Sequence, residues 1–378
     1  MTTLHVMRPW LGAEEVAAVT EVLASGWVAQ GPRVAAFEDA FAASQRAGHA
    51  VALSSCTAAL HLALVVAGVW PGDDVVVPSF SFVATANAVV HAGARPVFAD
   101  VDPATGNVTA ATVAEALTAR TAAVVAVDQA GVPVDLDAVR ALTDPLGIVV
   151  VEDAACAAGS TYRGLPVGAR AEVAAWSFHP RKILTTGDGG MLTTGRADWS
   201  DRARRLREHA MSVSAADRHG AVLAPPEEYL EVGFNYRMTD LQAAVGLVQL
   251  GRLPEAVARR RALAAAYAAE LADLPALRPV GDPPWGTGNF QSYWVEVLPG
   301  SPVDRDGLLA RLAAADVSAR RGIMAAHRQP AYAAGDHGGA PLPGTERLTD
   351  RTLILPLFHE MTGSEQGRVV DVLRAAVR

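Results

Sequence analysis

Short apolar runs alternate with helix-like segments in the middle of the chain. Runs of Val, Ala, Leu and Ile predict buried strands at residues 51–53, 75–77, 96–99, 122–127, 148–151, 174–178 and 190–193. Apolar residues at helical spacing predict helices between them, at 57–66, 84–92, 110–117 and 136–142. Strands that are apolar throughout and are separated by helices are typical of a mostly parallel sheet that helices cover on both sides.

The pattern differs at the two ends of the chain. Two helices are predicted before the first strand, at 12–25 and 34–45. From about residue 240, helices at 240–253 and 253–271 lead to a Pro- and Gly-rich junction at 275–288, and then to a strand at 293–298 and helices at 305–314 and 364–377. We therefore expect an α/β protein with a large domain over residues 1–250 and a smaller α+β domain over residues 251–378.

Composition and charge exclude several classes of function. The 378 residues carry 32 basic and 40 acidic side chains, a net charge of -8, and no basic stripe, so we expect no nucleic-acid partner. The two cysteines, Cys56 and Cys156, lie far apart in sequence, which argues against a disulfide scaffold and fits a reducing compartment. No signal peptide, membrane-length apolar run or metal-ligand spacing is visible, so we expect a cytoplasmic protein that uses no metal and no membrane.

Polar residues that could carry chemistry follow the predicted strands, where the ligand sites of parallel sheets lie. Lys182 stands between the strand at 174–178 and a glycine cluster, in the stretch WSFHPRKILTTGDGGMLTT. Asp153 ends the run IVVVED, and a carboxylate at the end of a buried strand needs a partner, which a protonated pyridine nitrogen would provide. The alternatives are that Asp153 caps a following helix and that Lys182 is an ordinary surface lysine.

Two further segments follow strands. Residues 54–64, SSCTAALHLAL, open a helix whose free N–H groups and dipole would favour a phosphate, unless Ser54 or Ser55 merely caps the helix. Residues 79–88, SFSFVATANA, place Phe80 and Phe82 where an aromatic face would cover a planar ring, unless these side chains belong to the core.

In this order and spacing, the segments resemble the pyridoxal phosphate (PLP)-dependent sugar aminotransferases of the DegT/DnrJ/StrS type, which have the fold-type-I aminotransferase architecture. The likeness extends over nearly the whole chain, from residues 12–42 through SCTAALHLAL, PSFSFVATANAV, PVFADVDPATGNV, AGVPVDLDAV, VVEDAACAAG, SFHPRKILTTGDGGM and GFNYRMTDLQAAVGL. It implies a large PLP-binding domain with a mostly parallel sheet between helices, a smaller α+β domain, and a homodimer whose active sites are shared between two chains.

The resemblance also implies roles for individual residues. Lys182 would hold the cofactor covalently and then move a proton, Asp153 would pair with the pyridine nitrogen, and Phe82 would stack on the ring. Glycines at 187–190 would let the backbone pass close to the cofactor. The cofactor phosphate would be held by Cys56, Thr57, Ser177 and, from the second chain, the partner subunit's Asn235.

Two positions depart from the pattern of the family. Cys56 stands where a glycine is frequent, although a backbone N–H contact to the phosphate would survive that change. Cys156 stands where Gln or His usually touches the ring hydroxyl, and because a thiol is a weak donor, this contact is expected to be lost or taken over by water. The residues that the resemblance places toward the substrate are Trp27, His179, Arg181, Arg321 and His327. A structural role for His179 and a solvated position for Arg181 are the alternatives.

Lysine at position 182 favours transamination, because the sugar dehydratases of this family have histidine there. The implied reaction moves an amino group from L-glutamate to a nucleotide-linked keto-deoxysugar, with the cofactor alternating between PLP and pyridoxamine phosphate. Lys182 must be neutral to act, so we expect burial and the ring cation to lower its pKa. The alternatives are a keto-cyclitol acceptor, a PLP-dependent sugar dehydratase and a PLP-binding regulator on the same fold.

Overall fold

The computed structural model describes residues 3–213, 226–333 and 340–378. Its strands, numbered in chain order, are β1 (His49–Leu53), β2 (Asp74–Pro78), β3 (Arg95–Ala99), β4 (Thr121–Val127), β5 (Val149–Asp153), β6 (Thr161–Tyr162), β7 (Leu165–Pro166), β8 (Val173–Ser177), β9 (Gly190–Thr194), β10 (Leu277–Pro279), β11 (Gly286–Thr287), β12 (Tyr293–Val297), β13 (Arg320–Arg321) and β14 (Thr352–Leu355). Its helices are α1 (Ala13–Ser25), α2 (Pro32–Gln45), α3 (Cys56–Val66), α4 (Ala84–His91), α5 (Ala110–Ala116), α6 (Leu136–Thr143), α7 (Ala197–Leu206), α8 (Asp240–Leu271), α9 (Arg305–Ala314), α10 (Pro343–Arg351) and α11 (Gly363–Val377). Apart from the region of α8, each predicted strand and helix is present to within two residues of its expected ends.

Seven strands form the central sheet in the order β1-β9-β8-β5-β4-β2-β3. Neighbouring strands from β8 to β3 run parallel, whereas β9 lies antiparallel to both β1 and β8. The sheet is therefore mostly parallel, as predicted. The carboxyl ends of β1, β2, β4, β5 and β8 meet at one edge, so the residues that follow these strands are brought together there.

Buried apolar side chains cover both faces of this sheet. On one face an aromatic cluster joins α2 to β8, with the Phe41 ring centroid 5.2 Å from that of Trp176 and 5.3 Å from that of Phe178. Edge-to-face pairs of this kind add to the stabilisation that comes from burial alone. The cluster fixes the end of β8 and therefore the backbone that leads to Lys182.

The second half of the chain builds two smaller antiparallel sheets, one with the order β10-β12-β14-β13 and one with the order β11-β6-β7. The N-terminal segment also joins this region, because the Leu4 N–H donates to the Asp316 carbonyl (2.8 Å) and the Leu357 N–H to the Val6 carbonyl (3.1 Å). The short strands β6, β7, β10, β11, β13 and β14, and the helices α7 and α10, were not predicted from the sequence.

The prediction of two helices at 240–253 and 253–271 is wrong, because α8 is one helix of 32 residues with Pro254 inside it. A proline removes one helical hydrogen bond, but contacts next to it hold the helix in place. Gln249 donates to the Trp10 carbonyl (2.7 Å), and Arg252 pairs with Glu15 (2.8 Å). Helix α8 passes through residue 250, and the division of the chain into domains at this point remains a prediction.

Asp240, the first residue of α8, connects that helix to the start of α2. Its buried carboxylate accepts hydrogen bonds from the backbone N–H groups of Gly31 (2.8 Å), Arg33 (3.0 Å) and Val34 (3.0 Å). These are N–H groups that the beginning of a helix leaves without intrahelical partners.

Replacing Asp240 with alanine should lower the free energy of unfolding by about 2 kcal/mol, because three N–H groups lose their acceptor. Urea unfolding at a fixed protein concentration measures this change. The matched control is Asp39→Ala, on the exposed side of α2, which should change the free energy by less than about 0.5 kcal/mol. Equal effects of the two substitutions would contradict the capping role.

Candidate active site

Asp153 ends β5 with its carboxylate enclosed by protein. The residue is only 4% exposed, and its Oδ2 accepts a hydrogen bond from Thr85 Oγ1 (2.9 Å) while its Oδ1 accepts one from the Ala155 N–H (3.2 Å). No helix follows Asp153, since residues 154–160 form turns, so the helix-capping alternative is wrong. Burial raises the pKa of Asp153 above its ordinary value, although the two hydrogen bonds and the charge of Lys182 act against that rise.

Thr85 belongs to the same arrangement and was not singled out from the sequence. It lies on α4, and its hydroxyl is 2.9 Å from that of Ser81, so a hydroxyl pair leads from the segment after β2 to Asp153. The only sequence signal for it was the polar character of SFSFVATANA, which our interpretation assigned to the two phenylalanines.

Lys182 is the only lysine of the 378-residue chain. It lies in an irregular loop between β8 and β9, where its N–H donates to the His179 carbonyl (2.8 Å) and its Nζ donates to Cys156 Sγ (3.0 Å). Burial acts to lower the pKa of Lys182, but the hydrogen bond and charge of Cys156, followed by Cys56 and Asp153, outweigh it and raise the pKa. Burial therefore acts in the direction that we expected, whereas the neighbouring thiols and Asp153 act against it.

The first turn of α3 lies beside this group. Ser55 caps the helix, with its Oγ accepting a hydrogen bond from the Ala58 N–H (3.1 Å), as one of our alternatives proposed. Burial, with the Asp153 charge second, raises the pKa of the Cys56 thiol well above its ordinary value. Gly190 lets β9 come close to this turn, because a Cβ at that position would lie 2.4 Å from the carbonyl group of Ser55.

The two phenylalanines after β2 have different environments. Phe80 is 2% exposed and belongs to the core, whereas Phe82 is 58% exposed. A large aromatic side chain left open beyond a strand end has a free face for a planar ligand. Ser177, the last residue of β8, is half-buried and lies opposite Gly190 in the strand pairing.

Asn235 lies on a segment that runs along the α3 turn. The Ser54 N–H donates to the Tyr236 carbonyl (2.8 Å), and the backbone of Arg237 forms an antiparallel β-bridge with that of Leu53. Asn235 itself pairs through its backbone with Glu208, and its side chain is exposed.

The five residues predicted to face the substrate belong to four different segments of the chain. His327 lies at the end of β2, with its Nδ1 2.6 Å from Ser79 Oγ, and His179 and Arg181 belong to the Lys182 loop, where the Arg181 N–H donates to His179 Nδ1 (3.2 Å). Trp27 donates from its indole nitrogen to the Gln30 carbonyl (3.0 Å). Arg321 is exposed on the edge strand β13, where it pairs with Asp306 (3.1 Å).

Two buried acids near Asp153 were also not predicted. Asp128 follows β4 and accepts a hydrogen bond from the Val134 N–H (2.9 Å), and Glu152 accepts one from the Gly168 N–H (2.9 Å). Burial raises the pKa of Asp128 well above its ordinary value and that of Glu152 to about 7. Within residues 3–213, 226–333 and 340–378, no group of three or more His, Cys, Asp or Glu side chains could hold a metal ion, and no helix is long and apolar enough to cross a membrane.

A cavity of about 480 Å³ lies elsewhere, between α2 and the region of residues 201–212. Neither Lys182, Asp153 nor Cys156 lines it. We place the candidate site at the strand ends, because Lys182 interacts there with Asp153, Cys56 and Cys156. The charged groups that line the cavity pair with one another instead, Glu38 with Arg204 (3.1 Å) and with Arg207.

Comparison with known proteins assigns the chain to a family and finds solved structures with the same fold. The model of the DegT/DnrJ/EryC1/StrS aminotransferase family matches residues 9–374. The aminotransferase TlmJ from Streptoalloteichus hindustanus is 40% identical, with a TM-score of 0.90 over 99% of this chain and 98% of that one. DesI, solved in the presence of its TDP-sugar product, is 34% identical with a TM-score of 0.90 over 100% and 94% of the two chains. The putative sugar aminotransferase Spr1654 from Streptococcus pneumoniae, solved in its PLP form, is 25% identical with a TM-score of 0.91 over 99% and 98%.

The residues at the strand ends fit pyridoxal phosphate. The buried carboxylate of Asp153 fits a protonated ring nitrogen, and the Lys182 amine fits the aldehyde carbon of the cofactor. The start of α3 fits the phosphate, and the exposed face of Phe82 fits the ring. Together with the fold-type-I architecture, these features agree with the family match. The chain belongs to the DegT/DnrJ/EryC1/StrS aminotransferase family and is a sugar aminotransferase that depends on pyridoxal phosphate.

Proposed function

We propose that the protein transfers the amino group of L-glutamate to the ketone of a nucleotide-linked deoxysugar. The observation that carries the proposal is that the single lysine of the chain lies at the strand edge that also buries Asp153, with its Nζ on Cys156. A lysine at this position supports transamination over dehydration. The TDP-sugar product in the 34% identical DesI supports a nucleotide-linked acceptor.

Lys182 and Asp153 have complementary roles in this proposal. The Lys182 amine would hold the cofactor and, once released, would take the proton from the donor's Cα and deliver it to the cofactor carbon on the far side of the donor's nitrogen. Asp153 would accept a hydrogen bond from the ring nitrogen and keep that nitrogen protonated, while the Thr85 hydroxyl holds Asp153 Oδ2. When bound, the cofactor supplies an electron sink for the carbanion that forms at Cα.

Phosphate binding is assigned to the first turn of α3 and its surroundings. The backbone at Cys56 and Thr57 offers free N–H groups at a helix start, and Ser177 ends the neighbouring strand β8. Phe82 would cover the ring face, and Cys156 would lie toward the ring hydroxyl. Trp27, His179, Arg181, Arg321 and His327 are assigned to the substrate; Arg321 needs to leave Asp306 to take part.

The proposed active unit is a homodimer in the cytoplasm, with the partner subunit's Asn235 completing each phosphate site. The exposed position of Asn235 supports this assignment, as do Tyr229, Leu230 and Val232, which are large apolar side chains left open on the same segment. Two free thiols fit a reducing compartment.

Purified protein supplied with PLP, L-glutamate and a panel of nucleotide keto-sugars and keto-cyclitols should aminate a nucleotide keto-sugar, as measured by product mass. Borohydride reduction should attach the cofactor to the Lys182 peptide alone, and Lys182→Ala should remove both attachment and turnover. In the control Lys182→Ala/Arg311→Lys, a lysine is restored at an exposed position and should rescue neither. Amination of keto-cyclitols only, or full activity of Lys182→Ala, would overturn the proposal.

Asp153→Ala should lower kcat/KM by about 100-fold or more with the fold intact, because the ring nitrogen loses the charge that keeps it protonated. Steady-state kinetics and circular dichroism measure the two properties. Glu152→Gln, the neighbouring acid on the same strand, is the matched control and should stay within about threefold of the wild type. Near wild-type turnover by Asp153→Ala would remove Asp153 from its proposed role.

Cys156→Ala should lower the pKa of the Lys182 amine, since Cys156 is the largest of the groups that raise it. At any pH below that pKa, a larger fraction of the amine is then neutral, and an acylating reagent labels it faster. The assay uses cofactor-free full-length protein and follows the only lysine by peptide mass. Cys56→Ala should give a smaller change in the same direction, and the opposite ranking of the two variants would contradict this account.

A further inference from the structure

The loop between β11 and β12, residues 288–292, contacts the backbone on both sides of Lys182 and the carbonyl of Cys156, and we call it the 288–292 loop. It connects the three-stranded sheet to the four-stranded sheet and lies more than 100 residues from Lys182 in sequence. Neither of its two buried amide side chains entered the sequence interpretation, because no nearby motif drew attention to them.

Gln291 holds the backbone on both sides of Lys182. Its Oε1 accepts a hydrogen bond from the Ile183 N–H (2.9 Å), and its Nε2 donates to the Arg181 carbonyl (2.6 Å). The loop that contains Lys182 has no strand partner at this point, so these peptide groups depend on side chains for their hydrogen bonds. Gln291 is 9% exposed, so water competes little for the two contacts.

Asn289 holds the turn that contains Cys156. Its Nδ2 donates to the carbonyls of Cys156 and Ala158, both at 2.8 Å, and its Oδ1 accepts a hydrogen bond from the Gln291 N–H (2.8 Å). Asn289 is fully buried. Gly131 makes room for it, because a Cβ at that residue would lie 1.9 Å from Asn289 Oδ1.

The 288–292 loop is itself fixed by a buried arginine of α8. Arg260 donates from Nε to the Phe290 carbonyl (2.9 Å), from Nη2 to the Gln291 carbonyl (2.8 Å) and from Nη1 to the Leu357 carbonyl (2.9 Å). Phe290 adopts the left-handed conformation (φ 53°), which costs free energy for a residue with a Cβ and persists where surrounding contacts impose it. The two amides therefore stand on a rigid support.

We propose that Gln291 and Asn289 are positioning residues for the reaction, which together fix the Lys182 amine against Cys156 Sγ. They hold the two backbone segments whose side chains meet at 3.0 Å, without touching the amine or the thiol through their own side chains. Proton transfer is sensitive to such placement, since a displacement of about 1 Å can lower a rate by about 100-fold. The inference rests on the proposed function, in which Lys182 moves the proton.

The test is Gln291→Leu, which keeps the volume and removes both hydrogen bonds. We expect kcat with L-glutamate to fall by about 10- to 100-fold while KM changes less, and the kinetic isotope effect with Cα-deuterated glutamate to rise as proton transfer becomes rate-limiting. In cofactor-free full-length protein, acylation of Lys182 should become faster, toward the rate of Cys156→Ala, because the amine leaves the thiol. The matched control is Gln366→Leu, which removes the single hydrogen bond of a buried glutamine to the Leu263 carbonyl (2.7 Å) and should change neither the isotope effect nor the acylation rate.

Two outcomes would overturn the proposal: an unchanged isotope effect and acylation rate in Gln291→Leu, or changes equal to those of Gln366→Leu. If Gln291→Leu does not fold, Gln291→Glu replaces it, since it keeps the shape and the acceptor for the Ile183 N–H but sets a carboxylate against the Arg181 carbonyl. The acylation assay needs no turnover. If the wild type shows no transamination, the proposed function fails while acylation still decides the positioning role.

Discussion

The arrangement at the sheet edge depends on a carboxylate that the fold removes from water. Asp153 is almost fully buried, and burial raises its pKa, so the ionised form needs a positive charge beside it. The hydrogen bonds from Thr85 and Ala155 orient its oxygens but bring no net charge. In the proposed function, a protonated ring nitrogen would supply that charge, and the carboxylate in return would keep the nitrogen protonated. Ionisation of Asp153 and binding of the cofactor would then be thermodynamically linked.

The parallel sheet creates this edge by bringing together segments that are distant in sequence. Asp153 and Ser177 come from adjacent parallel strands, while Cys56 begins the helix after β1. The aromatic packing of α2 on Trp176 and Phe178 holds the end of β8, so the Lys182 loop begins from a fixed point. The positions of the reactive groups thus follow from the packing of a core that contains no reactive group.

The regular part of the fold could be predicted from the sequence, because apolar periodicity reflects burial and burial organises the sheet. The roles assigned to Lys182 and Asp153 came from their order among recognisable segments. The continuity of α8 through Pro254 could not be predicted, because it depends on tertiary contacts such as Arg252 with Glu15. The effect of the protein's own groups on the Lys182 pKa could not be predicted either, since it depends on two thiols that come close to the lysine only in the folded chain.

The contacts of Asn289 and Gln291 could not be predicted from the sequence. They also explain why the active site needs the second half of the chain. Their amides satisfy backbone groups of segments that lie between about 100 and 130 residues away, so no local pattern indicates them. Arg260 anchors them through carbonyl groups, and within the described parts of the chain it pairs with no carboxylate. Its remaining hydrogen bonds go to the Leu357 carbonyl and to Met7 Sδ, so displacement of the 288–292 loop would leave a buried cation with two unsatisfied donors, Nε and Nη2. The free-energy cost of that displacement keeps the loop in place, and the loop in turn holds Lys182 at one position relative to Cys156. The remaining groups of the site come from the strand ends of the large sheet.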